Sequence, residues 1–348
     1  MAKPKTLTNL RLYIVPSPPN NFHFPNKNGY PIPNTRALPH MPSRYLNSRR
    51  TVGVSRRRKS SRRSYRKSSR KARRTNRKPI RRMSKRGVLN LTSRKKRDTM
   101  LTITNITAAS QQAGTTYFPQ PAVITGGTNA SPPIIWCATA RSDDTGGGAL
   151  GTVFDQATRT ATECYMKGLA ENIEIQVSDG VPWQWRRICF TYKGINNVAP
   201  DITGFSLFRK STTANFVRAM NMVPNNTYKD TLEGILFRGN ANQDWNDPIT
   251  APIDTSFITV KYDKVRHIAS GNEDGCIRQY KLWHPMNKTL VYADDEIGGK
   301  MVQSFYSVQS KRGMGDYLVV DYFRPRIGST SSNQLSFNST ATLYWHEK

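Results

Sequence analysis

The feature that most constrains this sequence is where its charge lies. No aspartate or glutamate precedes Asp98, while 30 of the 53 lysines and arginines do. Residues 1–97 therefore carry the whole excess of +30, and the remaining 251 residues balance 23 basic against 23 acidic side chains. Like charges at that density repel and stay extended unless a polyanion neutralises them. A neutral stretch of 251 residues, by contrast, is long enough to bury a core. The chain is expected to be a basic arm joined to a folded part of one large domain or two small ones.

The basic part divides again. Residues 1–43 are studded with proline from Pro4 to Pro42, among asparagines and isolated apolar residues such as Phe22, Phe24, Tyr30 and Ile32. That composition buries too little apolar surface to fold alone, so a disordered extension is expected. Met41 stands just before the basic run, which leaves a start at Met41 as an alternative to Met1.

Residues 44–97 hold 25 basic residues in 54, interleaved mainly with serine. The residues expected to carry nucleic-acid binding are Arg56, Arg57, Arg58, Lys59, Arg62, Arg63, Arg66, Lys67, Arg70, Lys71, Arg73, Arg74, Arg77, Lys78, Arg81, Arg82, Lys85 and Arg86. A disordered polycation neutralises phosphates and releases their counterions, but nothing fixes its side chains against base edges. Binding should be strong, salt-sensitive and tolerant of sequence. Tyr45 and Tyr65 are the only aromatics in this stretch, so base stacking by the arm is a minor term. Two clusters, Arg56, Arg57, Arg58 and Lys59, and Arg94, Lys95, Lys96 and Arg97, also match nuclear-import signals, a match any arginine-rich arm produces by composition. Host import receptors are thus a second expected class of partner.

After Asp98 the texture changes to period-two alternation, as at Ile173, Ile175 and Val177 against Glu174 and Gln176. Such alternation predicts half-buried strands. Similar runs occur at 100–106, 133–140, 183–192, 232–237, 257–268, 276–283, 316–323 and 335–345. Between them lie turn formers, for example 142–148 (SDDTGGG), 224–226 (PNN) and 239–242 (GNAN). Amphipathic helical stretches are scarce. The expected fold is all-β, an antiparallel sandwich. About eight strands with long connections in roughly 250 residues suit a single jelly roll better than a smaller immunoglobulin-type sandwich.

Little in the folded part points to catalysis. The histidines His23, His40, His267, His284 and His346 have no metal-ligand spacing, and no phosphate-binding G-x-x-x-x-G-K-[ST] occurs. No metal, cofactor or enzymatic activity is expected. Cys137, Cys164, Cys189 and Cys276 form no C-x-x-C pair and are read as buried free thiols of a reducing compartment. Asp294, Asp295 and Glu296 form an acidic triplet that could hold Ca²⁺, with a solvated turn as the plainer reading. No run of 18 apolar residues exists, so no membrane partner is expected.

Three segments carry a family resemblance. Residues 88–100 (VLNLTSRKKRDTM), 281–292 (KLWHPMNKTLVY) and 341–347 (ATLYWHE), with 183–187 (WQWRR) in support, resemble the capsid proteins of genomoviruses. These are small circular single-stranded DNA viruses related to geminiviruses. The resemblance spans roughly residues 44–348 and departs at the proline-rich extension. It implies a jelly-roll coat protein that assembles with copies of itself into a small icosahedral or geminate shell, with the arm facing inward on circular single-stranded DNA. It also implies a virion protein that passes through the host nucleus during assembly. A shell of ~60 subunits would bring ~1800 arm charges, one per phosphate of a circle of ~2 kilobases. The alternative is a cellular packaging or ribosome-associated protein with a basic tail, which would bind RNA or duplex DNA without closing into shells.

Overall fold

A computed structural model describes residues 83–348, apart from 112–113, 128–131, 147, 203–204 and 224–225. The proline-rich extension and the basic residues up to Arg82 lie outside the described residues.

In chain order the elements are α1 (Lys85–Thr92), β1 (Arg94–Met100), β2 (Thr102–Thr104), β3 (Ala122–Thr125), β4 (Ile134–Cys137), β5 (Glu163–Val177), β6 (Trp183–Tyr192), α2 (Ile195–Val198), β7 (Lys210–Ser211), β8 (Asn215–Phe216) and β9 (Arg218–Met220). There follow α3 (Asn226–Leu236), β10 (Thr259–Ile268), β11 (Cys276–Val291), β12 (Asp295–Ile297), β13 (Lys300–Val302), β14 (Asp316–Pro325) and β15 (Gln334–Glu347).

Two antiparallel sheets dominate. Sheet one runs β1, β15, β5, β11, with β3 beside the other end of β15; sheet two runs β10, β6, β14, β4. The first strand thus pairs with the last, Arg94 opposite Glu347 through Met100 opposite Ala341. One small departure from the antiparallel expectation is the parallel pair β2 and β9.

Sequence dictates which faces are covered. On β15 and β5 apolar and polar residues alternate, so one face of sheet one is buried and the other is not. On β6 and β14 the apolar runs are nearly continuous, and both faces are buried. The outer face of sheet two packs Ile188, Phe190, Leu318, Val320 and Tyr322 beneath Leu232, Leu236, Phe237 and Ile249. Sheet two is therefore the middle of three layers.

This third layer overturns one expectation. Residues 232–237 were expected as a strand, but they close α3, where Tyr228, Leu232 and Leu236 recur every four residues on its buried side. A six-residue apolar run has no period of its own that separates a strand from a buried helix. Residues 276–283 continue as strand to Val291, past Pro285; the edge position of β11 and a bulge between Pro285 and Lys288 let the ladder lose that donor. Gly239 and Asn242 take the left-handed backbone their turn requires.

Candidate nucleic-acid interface

The junction between the basic stretch and the sheets is built from α1 and β1. Ser84 caps α1 by accepting a hydrogen bond from the Gly87 N–H (3.1 Å), and Lys85 is exposed on the first turn beside the backbone position of Arg86. Val88, Leu89 and Leu91 of α1 are exposed apolar residues. The other residues expected to bind nucleic acid, from Arg56 to Arg82, fall outside the described part.

The folded unit begins before the boundary read from charge. Arg94, Lys95, Lys96 and Arg97 belong to β1 and hence to sheet one, not to the arm. The period of two splits the tetrad: Arg94, Lys95 and Arg97 are exposed, while Lys96 is buried. Its Nζ donates to the Thr158 carbonyl (2.7 Å) and Thr160 Oγ1 (3.1 Å) and lies 3.1 Å from Glu347 Oε2. Burial alone would raise the Glu347 carboxyl. Hydrogen bonds from Thr160 and Trp345, with the Lys96 charge, outweigh it and hold the group below its ordinary value. Lys96 is thus a structural cation and is unavailable to a receptor while the sheet is intact. Charge counting missed this because its counter-ion stands 251 residues away.

The next inward residue, Asp98, meets Arg141 at 2.5 Å. Burial raises its carboxyl above the ordinary value, against the pull of Arg141.

Between the sheets lies a second set of charges that sequence reading did not find. Arg187 on β6 reaches Glu171 on β5 (2.6 Å) and clasps both oxygens of Asp321 on β14 (2.7 and 2.8 Å). Arg218 on β9 approaches Glu171 (3.2 Å) and Asp321 (3.5 Å), and Trp185 Nε1 donates to Asp321 (2.8 Å). His284 Nε2 stands 3.5 Å from Glu171. All these charged side chains are essentially inaccessible. The cluster separates two apolar cores: Leu169, Cys189 and Val319 lie on one side, Ile173, Trp185 and Phe323 on the other. Burial would raise the Glu171 carboxyl, but the neighbouring Arg187, with His284 and Arg218 beside it, drives it far below its ordinary value. It stays ionised and pins the sheets together. The only sequence signal was the adjacent pair Arg186 and Arg187 inside an apolar run.

The acidic triplet is not an open cation site. Asp294 is clasped by Arg159 (2.6 and 3.0 Å) and bonded by Thr162 and the Ser304 N–H. Asp295 and Glu296 are exposed on β12, and no metal-holding group of three or more such ligands occurs among the described residues. All four cysteines are free; Cys137, Cys164 and Cys189 are buried and Cys276 is partly so. No helix among the described residues is long and apolar enough to cross a membrane.

No known protein-family model matches the chain, and no curated protein matches it.

Proposed function

We propose that this chain is the coat protein of a small circular single-stranded DNA virus, a jelly-roll subunit that assembles into a closed shell and packages the genome with its basic arm. The observation that carries this reading is the nesting of the strands. Counted in chain order, the eight principal strands of the two sheets are β1, β4, β5, β6, β10, β11, β14 and β15. First pairs with last, second with seventh, third with sixth and fourth with fifth. Pairing of the third strand with the eighth and the fourth with the seventh then rolls this long hairpin into two sheets. That connectivity supports the jelly-roll reading, an architecture used by viral capsids and also by lectins and cupins.

Charge separates the capsid reading from the others of that fold. A lectin or cupin has no use for thirty cations ahead of its shell, whereas a packaging subunit needs a phosphate-neutralising arm on a neutral shell that does not repel its neighbours. With Arg94 to Arg97 in the sheet, the stretch ahead of β1 still carries 26 basic residues. Exposed apolar residues grouped along the chain supply candidate subunit contacts: Val88, Leu89 and Leu91 on α1, Val153 and Phe154, and Ile297, Met301 and Val302 on the β12 and β13 hairpin. The resemblance of residues 88–100, 281–292 and 341–347 to genomovirus capsid proteins supplies the genome type, and with it assembly in the host nucleus, which the chain would reach through import receptors that engage its basic clusters, Arg56 to Lys59 first among them.

Full-length protein expressed with single-stranded DNA circles is expected to give closed particles by negative-stain microscopy, holding nuclease-resistant DNA. Serine in place of Arg56, Arg57, Arg58, Arg62, Arg63, Arg73 and Arg74 should remove the protected DNA and leave the shell domain folded. A full-length chain that stays monomeric and ignores DNA would sink this reading. Binding of RNA or duplex without particles would favour the cellular packaging alternative.

A further inference from the structure

The outward face of sheet one carries a second set of cations, arranged quite differently from those of the arm. Rows across the sheet follow from register. One row holds Lys95, His346 and Tyr165; the next holds Arg97, Tyr344 and Gly168; the third holds Thr99, Thr342, Ala170 and Trp283. All are on the side away from the core, and none belongs to the three buried clusters.

Trp283 is 48% exposed, although a tryptophan is the costliest side chain to leave in water. The fold makes room for it there. A Cβ at Gly168 would lie 2.5 Å from the indole, so only glycine lets the ring rest on the strand beneath. Tyr344 flanks it with ring centroids 5.8 Å apart, and Tyr165 and His346 form a second pair at 6.1 Å. Lys167, the extra residue of a bulge in β5, is set on the same face by Asn287 Oδ1 (2.8 Å). The His346 imidazole is held below its ordinary value, first by burial and then by the charges of Lys95 and Lys167, so cations converge at this end of the sheet. Of the carboxylates around this face, Glu163 is paired with Arg312, Glu174 lies at the far end among Gln176 and Gln279, and Asp155, beside the β1 edge, accepts from the Thr152 N–H and hydroxyl.

We infer that this face is a second nucleic-acid site, one that takes unpaired bases: Trp283 and Tyr344 stack them while Lys95, Arg97 and Lys167 hold the flanking phosphates. The inference rests on the capsid reading and deepens it by dividing recognition in two. The arm answers to phosphate alone and accepts any nucleic acid. Aromatic rings beside fixed cations require a strand whose bases are free to leave their own stack, which excludes a duplex. Position supports the division, since β1 is the edge strand through which the basic stretch joins the shell. A strand gathered by the arm is delivered onto the sheet at Lys95 and Arg97.

The test uses full-length protein at about 0.5 M salt, where phosphate contacts weaken and stacking persists. The probes are an oligothymidylate, an abasic strand of equal length and a duplex of equal length. Trp283→Ala with Tyr344→Ala is expected to lower oligothymidylate affinity about 5- to 100-fold while leaving abasic-strand and duplex binding unchanged. Trp283→Phe with Tyr344→Phe should restore it to within about threefold, which guards against a misfolded double variant. Lys95→Ser with Arg97→Ser should lower the salt slope of oligothymidylate binding by about 1.4. Unchanged oligothymidylate affinity in the double alanine variant, or an equal loss on all three probes, would overturn the site and leave the arm's role standing. Failure of the serine-substituted arm to lose packaging would instead overturn the arm's role, and a full-length chain that forms no particles would overturn the capsid reading itself.

Discussion

Sheet two and sheet one are built from the same chain and close over the same two cores, yet only sheet one leaves a broad outer face open; in sheet two the exposure is confined to the edge strand β10. In β6 (WQWRRICFTY) and β14 (DYLVVDYFRP) apolar residues point both ways, and α3 with the connections around it lies over the outer side. In β15 (QLSFNSTATLYWHE) every second residue is polar or partly exposed. The contrast teaches that α3 and the connections around it, where the sequence led to the expectation of a strand at 232–237 between two turns, serve as a cover, and that the uncovered sheet is where a partner has access. It also explains the placement of Trp283: a large ring left out of the core on a wall that nothing in the described chain conceals.

The comparison breaks most sharply under an added charge. Val320→Lys puts a cation between sheet two and α3, and is expected to cost more than about 4 kcal/mol and abolish folding. Thr340→Lys, on the open face of sheet one, should change stability by no more than about 0.5 kcal/mol. Chemical denaturation of the two variants checks this, and equal losses would mean that both sheets are covered. Next in size is the pin between the walls. Arg187→Ala leaves Glu171 and Asp321 buried without their main counter-ion and should cost about 3–5 kcal/mol by the same measurement.

A smaller effect lies in the cover and depends on pH. Burial pushes the Glu233 carboxyl on α3 up to about 7, against the opposing charge of Lys229. The unfolded chain ionises from about 4.5 upward. Raising the pH from there to about 7 therefore favours the unfolded state through this group. Glu233→Gln should stabilise the protein by about 2 kcal/mol at pH 8 and leave it unchanged at pH 4. Glu171 and Glu347 act in the opposite sense, since both are depressed: their contribution is present above about 4.5 and fades as the pH falls through their lower folded values. A melting temperature that rises steadily from pH 4.5 to 8 would contradict the Glu233 assignment.

Period-two patterning was enough to find β5, β6, β10, β14 and β15, because a half-buried or doubly buried strand writes its environment into consecutive residues. It could not reveal α3, whose apolar end is short, nor extend β11 past Pro285, where an edge position and a bulge excuse the missing donor. The candidate site was legible only where it is local. A basic stretch announces itself by composition; Lys96 reads as one more cation until Glu347 is found opposite it, and Trp283 and Tyr344 become neighbours only through the register of β11, β5 and β15. Pairings between residues 60 to 250 apart leave no mark on the sequence near either one.

The union of the first strand with the last has a further consequence, for the order of events in synthesis. The ribosome makes the basic stretch before the sheets, but β1 cannot complete its pairing until Glu347 has been added. At about 5–20 residues per second, the intervening residues take on the order of 10–50 s. For that interval the most strongly charged part of the chain is already made while sheet one remains open at β1. Closure, and with it the burial of Lys96, is timed by the synthesis of β15.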